Sequence, residues 1–457
     1  MRRSLIAAGL TFALTASGCN SFLTEQQATR DPNNPSTSTR NQLLTGIEAQ
    51  VMDQQEGGVA MLVCQWMQQC AGSAGRFVEL QGHYTSVTNS SFNGNFNSMY
   101  AGGGLISIRS AEASADADKD VVYKGVLEVL EALQVGWGTD IWGDIPYTDA
   151  AGANPTPKFD GQMAIYDALQ TLLDKAIADL AGAGAGPGAS DLFYGGDKTK
   201  WTQLANTLKA RFYLHTVEKL GAGQYAKALA AAQKGISSSA NSFHSVHTDA
   251  SPERNIWAQF QLTSFGNDLV AGKTLVDLMK ADNDPRLGEY FGKTSAGDYG
   301  GYDALTNSPA LDQVSPISGS LRNSSSVLSF PQPLVTYEEN QLIMAEANFM
   351  IGGAAAAQPF LTTVRTIAGK PAKPATIQSI MEEKYILLYQ NVEFWNDYKR
   401  NCYPRMKAAN AAYTAIPGRL LYGVTEQQTN PTQPQIMSEG SLQTFRNAND
   451  PAACPSS

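Results

Sequence analysis

The chain has 457 residues, with 33 Lys and Arg against 42 Asp and Glu, for a formal net charge of −9. Charged residues are 16% of it, against roughly 25% in an average globular chain. An acidic balance with so few cations excludes a nucleic-acid binder that tracks phosphates, since that needs a dense basic stripe. With 43% apolar residues the chain can bury a large core. No window approaches the roughly 18 apolar residues of a membrane-spanning helix.

In chain order, Arg2 and Arg3 precede an apolar run from Leu5 to Leu14, the layout of a secretory signal peptide over residues 1–18. The run leads into Ala16-Ser17-Gly18-Cys19, which resembles a lipobox. The Cys19 thiol is expected to carry diacylglycerol, with cleavage just before it; Ala16 stands where Leu is usual. Several acyl chains (palmitate among them), at about 0.8 kcal/mol per buried CH2, hold such a protein on a membrane without a spanning helix. Residues 19–40, with Pro32 and Pro35 amid Asn, Ser and Thr, read as an extended tether.

Beyond the tether the periodicity is helical. Tyr123, Val126, Leu127, Leu130, Leu133 and Trp137 share one helix face, as do Leu169, Leu172, Leu173, Ala176, Ile177 and Leu180. Trp201, Leu204, Ala205, Leu208 and Phe212 repeat the spacing, and Ile377, Ile380, Leu387 and Leu388 follow with one polar interruption. Helices also fit 41–55, 98–114, 224–235, 269–280, 336–350 and 357–368. Ala228 to Ala232 and Ala354 to Ala357 permit close helix approach. The pattern predicts an all-α fold of stacked helical hairpins, a solenoid-like core over 41–457. Loop-rich insertions fall at about 76–97, 236–268 and 282–334, where functional loops are expected.

After Cys19 four cysteines remain, Cys64, Cys70, Cys402 and Cys454, which allow three pairings. Cys64 and Cys70 would stand about 9 Å apart along one helix, so a bond between them requires the helix to end near Ala71-Gly72.

Asp140-Ile141-Trp142-Gly143-Asp144-Ile145-Pro146-Tyr147 resembles a signature of the SusD/RagB family of outer-membrane nutrient-binding lipoproteins. Further matches follow in the family's order: DPNNPS at 31–36, FDGQMAIYDAL at 159–169, GGDKTKWTQLANTLKAR at 195–211, NDPRL at 283–287 and YEENQLIMAEA at 337–347. VRTIAG at 364–369, EKYILLYQNVEFWNDYKR at 383–400 and IPGRLLYG at 416–423 complete the set. The resemblance implies tetratricopeptide-like hairpins carrying a loop-rich ligand face. It also implies a lipid-anchored, surface-exposed outer-membrane location and the role of substrate-capturing lid for a SusC-like TonB-dependent transporter of oligosaccharides or peptides. The acidic run that follows the lipidated Cys in many members is absent, since Asn20 to Thr24 carry no charge.

Sugar binding needs aromatic faces against the C–H side of a pyranose and polar groups for its hydroxyls. One loop offers Arg76, His83, Tyr84, Asn89, Phe92 and Asn93; a second offers Tyr299 and Tyr302 beside Asp298 and Asp303. Trp257, with Phe260 and Phe265, is a third candidate. The signature residues Trp142, Asp144, Pro146 and Tyr147 read as architecture, Asp284 and Arg286 as a paired helix exit. Glu382, Glu383, Trp395, Asp397 and Arg400 read as an ionic network.

No metal or cofactor is expected. His244 and His247 with Asp249 lack a zinc spacing, and Asp282, Asp284, Asp298 and Asp303 lack that of an EF-hand. The glycines at 182–188 follow no strand, and Gly266 lies one residue too far from Gly272-Lys273-Thr274 for a phosphate loop. No GxSxG appears. The reading is a non-catalytic capture protein; a lid without ligand affinity and a glycoside hydrolase are the alternatives. Cys19→Ala is predicted to move the protein from the membrane to the soluble fraction, as read by fractionation and immunoblotting.

Overall fold

Thr39 opens the first helix with a capping box: Gln42 N–H donates to its hydroxyl at 3.3 Å, and Thr39 N–H donates back to the Gln42 side chain at 2.9 Å. The computed structural model describes residues 38–78, 83–85, 87–434, 442, 446–450 and 454. The signal peptide, Cys19 and nearly all of the tether lie outside the described residues.

The first helix, α1 (Arg40–Glu56), buries Leu44, Ile47 and Val51, and α2 (Gly58–Trp66) follows it. Then come α3 (Leu105–Ala117), α4 (Val121–Trp142), α5 (Gln162–Leu180), α6 (Lys198–His215) and α7 (Gly223–Ala232). After a long irregular stretch, α8 (Lys273–Ala281) precedes α9 (Tyr337–Gly352), α10 (Ala354–Ile367), α11 (Ile377–Leu387) and α12 (Glu393–Asn401). From α3 to α7 each helix packs on the next, α7 packs on α9, and α9 packs on both α10 and α11. The result is the expected helical fold of stacked tetratricopeptide-like hairpins.

Small residues set the closeness of this stack. A Cβ at Gly125 of α4 would lie 3.0 Å from the Ala176 carbonyl of α5, and one at Gly136 would lie 2.4 Å from the Phe212 ring of α6. Ala228, Ala231 and Ala232 of α7 pack with Ala210 and Leu214 of α6 and with Ile343 and Ala347 of α9. No helix among the described residues is long and apolar enough to cross a membrane.

Two expected helices start later than their periodicity suggests: the one at 98–114 begins at Leu105, after turns at 99–104, and the other gives way to a strand. Within 269–280, Leu269–Ala271 forms a strand, β2, antiparallel to β1 (Cys70–Gly72), and the helix begins only at Lys273. Gly272 carries the chain between them, where a Cβ would come within 2.2 Å of the Gln68 carbonyl. A helical pattern read from apolar spacing cannot see this pairing, because the partner strand is about 200 residues away in sequence.

The Cys64 bond depends on the same turn. Helix α2 ends at Trp66, Gln68 takes a left-handed φ of 52°, and Cys70 returns to bond Cys64 with a Cα separation of 5.2 Å. Cys402 bonds Cys454 at a Cα separation of 5.3 Å.

Buried ions join the last helices. Lys384 of α11 reaches Glu346 of α9 at 2.8 Å and Asp397 of α12 at 2.9 Å. Arg400 of α12 contacts both carboxylates at 2.5 Å. Burial would raise the Glu346 carboxyl, but Arg400 and Lys384 overcome it and hold the group well below the usual carboxylate range. A second cluster joins Glu383 to Arg286, Arg365 and Lys370, with Arg286 also paired to Asp284. These pairs account for the sequence's expected network at Glu383, Asp397 and Arg400, and for the expected Asp284–Arg286 pair. Glu346→Gln would leave two buried cations short of charge, so we predict a loss of about 3–5 kcal/mol, measured as a lowered urea midpoint.

Candidate functional site

The signature turn is structural. Helix α4 stops at Trp142 because Gly143 adopts φ 77°. Trp142 then donates to the Leu421 carbonyl at 3.0 Å, Asp144 accepts from Gln162 N–H at 2.8 Å, and the Tyr147 hydroxyl donates to Glu131 at 2.8 Å.

Three of the candidate contact residues turn inward. Tyr84 is 1% exposed; its ring meets Trp66 and Tyr413 edge-on, and its hydroxyl accepts from Ala409 N–H at 3.0 Å. Phe92 is buried, and Trp257 is 0% exposed. These three are therefore staples of loop to core, not faces open to a ligand: burying a large ring gains more than displaying it. Asn89 and Asn93 stitch their loop to Gln427 at 2.6 Å and to Thr425 at 3.0 Å. His83 ties the same loop to the Ala304 carbonyl at 2.8 Å. Tyr299 is half-buried, its hydroxyl against Gly288. Arg76 is exposed, 4.9 Å above the Phe77 ring, and Phe265 is 60% exposed.

Tyr302 alone among these candidates lines the polar pocket, a cavity of about 280 Å³. It hangs on β2 through hydrogen bonds from its N–H to Ala271 O at 2.8 Å and from Lys273 N–H to its carbonyl at 3.0 Å. The start of α8 supplies Lys273, Thr274 and Asp277, and the segment after α12 supplies Arg405, Met406 and Lys407. Gln65, Gln68, Cys70, Asp303 and Leu305 also line it. Thr274 donates to the Gln68 amide oxygen at 2.8 Å, and the Gln68 amide nitrogen donates to the Lys407 carbonyl, so three separate segments are joined around the cavity. An aromatic ring amid hydroxyl, amide, carboxylate and cationic groups can stack on a sugar and bond its hydroxyls. Of these lining residues the sequence reading named Tyr302 as a candidate, and not Arg405 or Lys407. Their signal was a basic, Pro-containing stretch directly after the helical motif ending at Arg400.

A protein-family model for SusD-like proteins, described as "Starch-binding associating with outer membrane", matches residues 32–358, more than half of the chain. The chain belongs to the SusD-like family. Solved structures agree in fold. A SusD/RagB family protein from Bacteroides thetaiotaomicron is 19% identical, with 90% of this chain and 98% of that chain covered and a TM-score of 0.72. A chitin-binding SusD homolog from Flavobacterium johnsoniae is 18% identical, with 91% and 99% covered and a TM-score of 0.74. No curated protein matches the sequence.

In this SusD-like protein the histidines and the aspartates Asp282, Asp284 and Asp298 weighed as metal ligands are each engaged elsewhere. His247 faces Glu56 at 3.0 Å while His244 faces the Ser242 carbonyl at 3.2 Å, so they share no centre. Asp282 and Asp284 are paired to Lys370, at 2.7 and 2.8 Å, whereas Asp298 pairs with Lys280 at 3.2 Å. Asp140, His215 and Glu393 do converge, all buried, with ligand atoms within 4.8 Å of one another. Yet both His215 nitrogens are engaged, Nδ1 with Asp140 at 3.0 Å and Nε2 with Glu393 at 2.7 Å, and Arg211 stands 3.4 Å from Glu393. A protonated histidine and a guanidinium already neutralise the carboxylates, which suits a structural ion cluster better than a metal centre.

Burial would lower the His215 pKa, but Asp140 and Glu393 outweigh it and push it up to about 9. A raised folded-state value stabilises the fold fully below about pH 6.5, the unfolded value, and the contribution is lost as pH rises through about 9. We predict a loss on the order of 3 kcal/mol across that window, read as urea midpoints. Loss of the same size in His215→Gln would exclude the assignment.

Proposed function

We propose that this SusD-like protein captures an oligosaccharide in the Tyr302 pocket and hands it to a partner TonB-dependent transporter, without catalysis. The pocket's composition carries the reading: one half-buried aromatic ring amid closely set donors and acceptors, on a wall of loops held by a rigid helical stack. A larger hollow of about 480 Å³ between α1 and residues 246–259 is lined by Ala49, Met52, Leu192, Val246 and Ile256 together with Asp53, His247, Arg254 and Gln259, but by no Phe, Tyr or Trp ring on which a pyranose could stack. The family description and the chitin-binding relative also favour a carbohydrate. Lipidation at Cys19 would keep the pocket at the outer membrane, beside the transporter.

A hydrolase needs two free carboxylates across a cleft. The carboxylates on this wall are engaged, Asp277 by Lys273 and Asp303 by Leu305 N–H at 2.9 Å and Thr306 at 2.9 Å. Release of reducing ends by the purified protein would overturn the non-catalytic reading.

The test is a calorimetric screen of the chain from Asn20 onward against neutral and charged oligosaccharides and peptides. Tyr302→Ala is expected to weaken binding about tenfold, or roughly 1.4 kcal/mol, while Tyr84→Ala lowers stability. Peptide binding would change the ligand class. A silent screen, with uptake still dependent on the protein, would favour a lid without affinity of its own.

A further inference from the structure

Resting on that capture reading, we propose that the pocket selects oligosaccharides that carry anionic groups, sugar carboxylates or sulfate esters, over neutral ones. The charges around it do not cancel locally. Lys273 is taken by Asp277 within α8, and Asp303 is satisfied inside its own turn by Leu305 N–H and the Thr306 hydroxyl. Arg405 and Lys407, on the facing wall, form no ion pair with any of the described residues. The charged groups that line the cavity, Lys273, Arg405 and Lys407 against Asp277 and Asp303, therefore leave an excess of one positive charge, with Arg405 and Lys407 lacking a carboxylate partner among the described residues, in a protein whose net charge is −9. Elsewhere such a field repels an anionic glycan, so a local cationic wall is what lets one dock.

The wall is also built to hold those cations in place. Residues 405–407 alternate exposed, buried, exposed, with Met406 3% exposed, so Arg405 and Lys407 emerge on the same side. The Arg405 guanidinium lies 4.8 Å from the Tyr403 ring. Stacking on a ring leaves the in-plane N–H fork free for bidentate bonding to a carboxylate or sulfate. The Lys407 backbone is held by Gln68, the segment starts at the Cys402–Cys454 bond, and Ala409 N–H is fixed by Tyr84. Little ordering of the backbone or of Arg405 remains to be done on binding, so more of the charge–charge contact is realised in affinity. A neutral sugar has no use for it. Tyr302 would stack on the ring, and the cations would read its substituent.

The experiment compares three ligand sets by calorimetry at low and at physiological ionic strength: oligogalacturonides, the same oligosaccharides after carboxyl reduction, and sulfated galactan oligosaccharides. The protein is the chain from Asn20 onward, which includes every residue described in the structure. At least one anionic set is expected to bind about tenfold or more tighter than the reduced, uncharged set, with the advantage shrinking as salt rises. The arm that binds tells carboxylate from sulfate. Arg405→Ala with Lys407→Ala should bring anionic binding down to the neutral level with an unchanged unfolding midpoint, since both side chains are exposed. Equal affinity for the reduced set, untouched by the double substitution, overturns the selection and leaves capture standing. No binding by any set overturns the selection, and a blank neutral screen beside it overturns capture as well.

Discussion

The buried ion cluster of α9, α11 and α12 is the constraint on which the functional face depends. Glu346, Lys384, Asp397 and Arg400 are all nearly or fully shielded from water, and each is tolerable there only in the company of the others. The three helices must therefore arrive in one relative position. Helix α12 then leaves the cluster through Cys402, at a left-handed φ of 56°, straight into the disulfide to Cys454. The next residues are the pocket wall, so the direction of Arg405 and Lys407 is inherited from a charge arrangement deep in the core.

The opposite wall is set by a different device. The short β1–β2 ladder brings the turn after α2 against the segment before α8, and Tyr302 joins its edge through backbone hydrogen bonds. The Tyr302 ring rests half-buried on Ala71, Val270 and Val314, its hydroxyl 3.4 Å from Asn307, and lines the cavity from there. Tyr84 instead closes against Trp66, and Trp66 meets Trp395 edge-on at 5.3 Å, so the first loop is pinned to α12 by rings rather than displayed. Buried rings of this kind hold the first loop against the helical core.

The His215 cluster has the same logic at the C-terminal end of α6. Asp140 lies in α4, His215 ends α6 and Glu393 starts α12, so a protonated imidazole bridges helices distant in sequence. Its charge balance fixes the stack, and the face above it can remain loop-rich without the scaffold loosening.

Helix periodicity is a local property, and it was legible: Tyr123 to Trp137 and Leu169 to Leu180 do form packed faces of α4 and α5. The run at 269–280 was not, because strand β2 exists only through a partner remote in sequence. The family motifs were equally legible as strings, and the pairing of Asp284 with Arg286 followed from two neighbouring residues. Which loop aromatics meet solvent was beyond the sequence. Tyr84 and Tyr302 have the same side chain in similar Gly- and Asn-rich surroundings, yet one is sealed by Trp66 and Tyr413 and the other opens on a cavity. Exposure depends on what packs over a ring, and that is supplied by segments far away along the chain. By itself the sequence determined the helical stack, the likeness to the SusD-like family and the supply of polar and aromatic loop residues. Only the tertiary structure decided that Tyr302, Arg405 and Lys407 share one cavity, because pairing of distant charges and strands, not local pattern, brings them together.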